Sequence, residues 1–200
     1  MTCIIAFTDG KSSFIAGDKL GSNGFTKSVM VEPKVFEKEF HRVSTNDEGT
    51  VRTRETMALG YTTSFRMGQL LSYNLVLPDQ DANQSFSQYL VQKVIPLIRH
   101  MFKDEWGARD SSQDIGGGQF IILHNHTIYE VQGDFSVLQP KTQITAVGSG
   151  TYHAIAAMQA LQSVSSDTKK DLLHYVPTIF DIVSTNVTSV SAEHDVLHYK

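Results

Sequence analysis

The chain is poor in the features that would commit it to an extracellular, membrane or nucleic-acid setting. It has one cysteine, Cys3, so no intramolecular disulfide can form. That usage fits a reducing cytoplasm. No run approaches the roughly 18 apolar residues of a membrane span. The opening residues lack the basic stretch and long apolar core of a signal peptide. Net charge is −4 with the signs interspersed, so no basic face favours nucleic acid or an anionic lipid surface. Cofactor signals are also missing. Gly116-Gly117-Gly118 is followed by no Gly-Lys-Ser/Thr and precedes a strand, not a helix. His124-x-His126 has no further ligand at zinc spacing and reads as an exposed turn, so no metal is expected. There is no repeat or linker, and 200 residues at 40% hydrophobic suit one domain spanning 1–200.

What the chain does have begins at its second residue. It opens Met1-Thr2-Cys3-Ile4-Ile5-Ala6-Phe7, and methionine is normally removed when a residue as small as threonine follows. Thr2 would then carry a hydroxyl and a free α-amine on one residue. A hydroxyl needs a base to become a nucleophile, and an N-terminal amine can be that base. With an unperturbed pKa of about 7.7–8.0, it suits proton transfer near neutral pH.

Thr2–Thr8 reads as an apolar strand and Ser12–Gly17 as its return across Asp9-Gly10, a type I′ turn signal. A two-residue loop sets Thr8 opposite Lys11 and Thr2 opposite Gly17, leaving Asp18 beside the chain start. A second hairpin is expected through Gly21-Ser22-Asn23-Gly24. Lys34 lies in the strand-like run Val29–Phe36 between apolar neighbours. Its first reading is a solvent-facing lysine. Turned inward it would need a carboxylate, for which Asp18 is the candidate, and its ammonium would lower the pKa of a nearby amine.

Thr2, Asp18 and Lys34, in the contexts Thr-x-Ile-Ile-Ala, Ile15-Ala16-Gly17-Asp18 and Pro33-Lys34-Val35-Phe36, resemble the proteasome β-subunit family. The start is most similar to the bacterial heat-shock protease subunit that pairs with a ring ATPase. A second match is Gly148-Ser149-Gly150 before Thr151 and the alanine-rich run to Leu161. Gly60–Leu71 resembles a branch of proteasome-like proteins in bacteria and their phages. The resemblance implies Thr2 as nucleophile, Asp18 and Lys34 as its polar partners, and Ser149 as a hydrogen-bond partner of the amine. It also implies an oxyanion donor at the Thr63 N–H and a substrate pocket near Gly21, Glu32, Tyr61 and Phe65. The substrate would be a peptide or unfolded protein, met inside a homo-oligomeric ring whose ATPase partner the sequence does not identify.

Two positions depart from that family. Thr63 stands where a small-residue stretch is commonly glycine-rich, and its Cβ should narrow the site. After the last long helix, Ser184–Ser191 contains no acid, and Thr188, Ser189 and Ser191 are the candidate hydroxyls in its place. The function expected is an N-terminal threonine peptidase. The alternatives are an inactive structural ring subunit and an amidase of the same fold acting on a small non-peptide amide.

The remaining pattern predicts a loop over 44–53, a helix over 64–75, and a Pro96-kinked helix following Asp81–Ser85 and carrying Phe86, Leu90 and Val94. A polar loop is expected over 103–118. Strands 119–123 and 127–132, a strand 144–147, helices 151–163 and 168–184 (the latter interrupted by Pro177) and an edge strand 196–199 follow. Strands, two helices, strands, two helices suit an α+β, four-layer αββα sandwich of two mainly antiparallel sheets, the fold of N-terminal nucleophile (Ntn) hydrolases. Arg66 and Arg109 are read as surface charges.

Overall fold

The computed structural model describes residues 2–22, 25–47, 49–106, 117–164 and 172–200. Met1, the turn residues Asn23-Gly24, Arg109, Gly116 and the expected helix start at Thr168 lie outside the described residues.

Strand β1 (Cys3–Thr8) is apolar on both sides, and each side has its own partner layer. Cys3, Ile5 and Phe7 pack towards helices α4 (Thr151–Val164) and α5 (Val176–Asn186). Ile4 and Ala6 pack towards a second sheet, with Ile15, Val35, Ala58, Ile121 and Val147. This period-two division of a strand buried from Cys3 to Phe7 is what a sheet covered on both faces requires. With β2 (Ser13–Asp18), β11 (Ile144–Gly148) and β12 (His194–Tyr199), β1 forms an antiparallel sheet in the order β11-β1-β2-β12.

The second sheet holds β5 (Val35–Asn46), β6 (Gly49–Tyr61), β7 (Gln80–Asp81), β8 (Phe120–His124), β9 (Thr127–Val131) and β10 (Val137–Leu138), in the order β10-β9-β8-β6-β5-β7. A short hairpin of β3 (Leu20–Ser22) and β4 (Lys27–Val29) stands apart. The outer face of the second sheet is covered by α1 (Phe65–Gln69), α2 (Phe86–Tyr89) and α3 (Ile95–Trp106) around Tyr89, Leu90, Ile98 and Phe102. The layers are therefore helix, sheet, sheet, helix, as the sequence order predicts. No helix among the described residues is long and apolar enough to cross a membrane.

Several local expectations are corrected. The first hairpin has a four-residue loop, Asp9–Ser12, because the Asp9 carboxylate accepts from the N–H groups of Lys11 and Ser12 and its own N–H donates to the Ser12 carbonyl. Register moves by two residues: Ile4, not Thr2, faces Gly17. A two-residue shift preserves faces, so Asp18 stays at the chain start. Of residues 44–53, those at 44–46 and 49–53 are strand and not loop. They are the distal half of a β5–β6 ribbon paired out to Asn46 and Gly49, where threonine and valine favour strand although both faces are wet. Residues 103–106 are helical. Pro177 sits in the first turn of α5 and starts the helix instead of breaking it, its missing N–H being one that needs no partner there. Pro96 is accommodated by a π-helical turn, Leu90–Val94, immediately before α3.

The His124–His126 region also differs from the exposed turn expected. Asn125 and His126 do form the turn, with φ of 45° and 56°. His124, however, is buried. Its Nδ1 donates to the Thr56 carbonyl at 3.0 Å, and its ring stacks on Phe86. Burial holds its pKa below the usual 6.5, the Thr56 bond only partly opposing. The native state thus resists a proton that the unfolded chain accepts. Stability should be full above about pH 6.5 and decline as pH falls through the lowered native pKa. Urea unfolding followed from pH 7.5 to 5 should show this slope in the wild type and a flatter one in His124→Gln.

Candidate active site

Thr2 lies at the end of β1 where the two sheets meet, 4% exposed. Its carbonyl is met by the turn that joins β11 to α4. Ser149 Oγ donates to it at 3.3 Å and Gly150 N at 3.5 Å. Gly148 has φ of 102°, and a Cβ there would overlap the Thr2 carbonyl oxygen. The Gly-Ser-Gly sequence is thus explained by close approach: Gly148 for its left-handed backbone, Gly150 because a Cβ would strike Cys3 and Val183. Gly148→Ala should cost about 2 kcal/mol or more, combining strain at positive φ with overpacking, and chemical denaturation would measure it.

Asp18, fully buried at the end of β2, is a four-way acceptor. Its Oδ1 receives the Cys3 N–H at 2.9 Å and Lys34 Nζ at 3.0 Å. Its Oδ2 receives the Leu20 N–H at 3.0 Å and the Ser191 N–H at 3.3 Å. One carboxylate thereby joins the chain start, the β2–β3 corner, Lys34 and the segment after α5.

Lys34 is 1% exposed, against the first reading of a solvent-facing lysine. The run 30–34 is not a strand: β4 ends at Val29 and β5 begins at Val35. The break lets Lys34 turn inward while Glu32 stays exposed, so the two do not share a strand face. Lys34 Nζ donates to Asp18 and, at 2.8 Å, to the Leu20 carbonyl. Its third N–H has no acceptor among the described residues. Burial lowers the Lys34 pKa, and the neighbouring Asp18 carboxylate opposes that shift.

Ser149 also contacts Ser189 Oγ at 2.9 Å. Since the Thr2 carbonyl can only accept, Ser149 spends its proton there and Ser189 must donate to Ser149. Of the three hydroxyls left open by the sequence, Ser189 is therefore the one at the Gly-Ser-Gly turn. Ser191 serves the Asp18 end, its Oγ accepting from Lys19 N at 3.2 Å, and Thr188 is exposed. Pairwise hydroxyl contacts across 40 residues leave no spacing signal that could have separated them.

Thr63 has φ of 71°. A threonine holding the conformation glycine would supply costs on the order of 1–3 kcal/mol, strain of the kind found at functional sites. The β6–β8 pairing carries on to Thr62, whose N–H and hydroxyl both donate to the Gln119 carbonyl. Among the described residues the Thr63 N–H meets no acceptor.

The four expected pocket residues gather only in part. Gly21 and Phe65 are neighbours, because a Cβ on Gly21 would come within 3.3 Å of the Phe65 ring. Lys34 Nζ lies 6.0 Å from the centre of that ring. Tyr61 is buried against Gly68, and burial with nearby Glu32 pushes its pKa up to about 12. Glu32 is turned to Tyr73, whose hydroxyl donates to it at 3.1 Å. Cys3, beside Thr2 in sequence, faces the helices and is fully buried, its thiol pKa raised to about 12 by burial. No group of three or more potential metal ligands occurs among the described residues.

The sequence matches no family model and no curated protein. Solved structures do match its fold. BPH of Thiobacillus denitrificans is 18% identical, with TM-score 0.72 over 100% of this chain and 98% of that one, and a second structure of it is a complex with epoxomicin. Eukaryotic HslV from Trypanosoma brucei is 16% identical, with TM-score 0.62 over 98% of each chain. A subunit of the helical Anbu assembly from Pseudomonas aeruginosa is 14% identical, with TM-score 0.64 over 99% of this chain and 81% of that one. At such identities the likeness establishes the fold, which is that of proteasome-type Ntn-hydrolase subunits.

Proposed function

We propose that this chain, as one domain over 1–200, is an N-terminal threonine peptidase that cuts peptides or unfolded proteins within a cytoplasmic homo-oligomeric ring. The observation that carries this reading is the enclosure of Thr2 between the buried Lys34–Asp18 pair and the Gly148-Ser149-Gly150 turn. After Met1 is removed, Thr2 Oγ attacks the scissile carbonyl while its own α-amine takes the proton. The spare Lys34 N–H and its charge favour the free-base form of that amine. The Thr63 N–H, already held at positive φ, receives the developing oxyanion. The amine returns the proton to the leaving amine, and water then cleaves the acyl-enzyme. Gly21, Tyr61 and Phe65, with Glu32 at the rim, line the substrate side. No metal or cofactor is required by these steps.

A second reading, a ring subunit without catalysis, draws on the acid-free stretch after α5, where serines 189 and 191 supply the contacts. Intact mass after treatment with a peptide epoxyketone separates the two, because that reagent requires the hydroxyl and free α-amine of a single terminal threonine. A single adduct mapping to Thr2 supports the peptidase. No adduct on protein confirmed to begin at Thr2 supports the inactive subunit.

A further inference from the structure

The β5–β6 ribbon outruns its sheet. β6 pairs with β5 from Gly49 to Gly60, but with β8 only from Ala58 to Tyr61. Beyond Ala58 the outer edge of β6 has no strand partner among the described residues. Which residues present backbone to that edge follows from alternation. Tyr61 N bonds the Lys34 carbonyl on the β5 side, while Thr62 N and the Thr56 carbonyl bond Gln119 and His124 on the β8 side. Even-numbered residues therefore face outward. Thr50, Arg52 and Arg54 each direct an N–H and a C=O to open solvent.

Charge decides what can dock there. Arg52 and Arg54 share one face, and their neutralising partners, Asp79 and Glu39, lie on the inner side, towards β7 and β5. Exposed ion pairs of this kind exchange at little cost. A second copy adding its own β6 antiparallel about a two-fold axis would set arginine against arginine, whether centred on residue 52, 53 or 54, and like charges directly opposed are unfavourable. The same two arginines attract a strand with carboxylates at alternate positions. At the inner end of the edge lies a notch of about 270 Å³ lined by Arg54, Thr56, His126 and Tyr199 among others, which gives the end of such a strand a seat.

We propose that the outer edge of β6, from Thr50 to Thr56, is a docking site for an extended acidic segment of a partner protein, bound by strand addition. The edge is at the opposite end of β6 from Thr62, roughly 25 Å away along the strand at ~3.3 Å per residue. The inference does not rest on the peptidase reading, and failure of either leaves the other untouched.

The probe is a synthetic octapeptide of alternating glutamate and valine, with a lysine-for-glutamate version as control. It is titrated by fluorescence anisotropy against the full chain at low salt and again at 150 mM, with amide hydrogen exchange read over residues 49–57. The expected result is binding of the acidic peptide at least tenfold tighter than of the lysine peptide. Slowed exchange at Thr50, Arg52 and Arg54 should accompany it, and both should be lost in Arg52→Glu/Arg54→Glu. Thr50→Pro, which removes an outward N–H and leaves the β5 ladder intact, should weaken binding several-fold with unchanged melting temperature. Equal affinity for the two peptides, or acidic-peptide binding without slowed exchange at those three amides, overturns the proposal. So does full binding by the charge-reversed variant.

Discussion

Thr2→Ala should abolish epoxyketone labelling and lower peptidase turnover by at least about a thousandfold, while melting within a few degrees of the wild type. The scale follows from losing a nucleophile, where residual activity reflects binding and oxyanion stabilisation alone. The small stability effect follows from what the side chain does in the fold. The interactions that fix this region use the Thr2 carbonyl and the Cys3 N–H, which alanine keeps. Mass spectrometry, a fluorogenic peptide assay and a thermal melt on the same preparation check all three parts. Retained turnover in the alanine variant would sink the assignment of Thr2 as nucleophile.

Lys34→Met should be the more damaging change to the protein itself. It leaves the Asp18 carboxylate buried with three backbone N–H donors but no counter-charge, and breaking a buried pair in this way typically costs about 3–5 kcal/mol. A loss of that size is a large part of the stability of an ordinary domain. Lys34→Met/Asp18→Asn, which removes both charges and keeps one acceptor oxygen for the Leu20 and Ser191 N–H groups while setting an NH2 against the Cys3 N–H, should recover part of it, as chemical denaturation of the set would show. Activity should stay lost in both variants, because the proposed role of Lys34 is to tune the Thr2 amine. Recovery of stability without activity would separate the structural task of the pair from the chemical one.

How far the sequence could be read depended on whether the deciding contacts were local. The apolar run Cys3–Phe7, the Asp9-Gly10 corner and the glycine-flanked Ser149 each carry their structural reason in adjacent residues, and the layer order followed from the succession of strand and helix patterns. Lys34 could not be oriented from its neighbours. It turns inward in the break between β4 and β5, towards a carboxylate 16 residues away. The register of the first hairpin failed because an aspartate side chain capturing two N–H groups makes a four-residue loop as favourable as the two-residue turn. Residues 44–53 were misread because polarity was taken for loop, whereas a free-standing ribbon is polar on both faces and is identified by its β-branched content. His124 belongs to the same class: its burial is created by Phe86 and Thr56, neither of which its own surroundings announce.

The Asp18 clamp has a consequence for biosynthesis. Of its four donors, the Ser191 N–H is made last, and β2 receives its outer neighbour only from residues 194–199. A chain emerging from the ribosome can therefore form β1, β2 and the Lys34 contact early but cannot close this corner until residues 189–199 have been translated. A product that stops before residue 189 lacks the Ser189 and Ser191 contacts as well as the strand that covers β2. For a protein proposed to cut other chains, this ties a competent centre to the translation of residues 189–199.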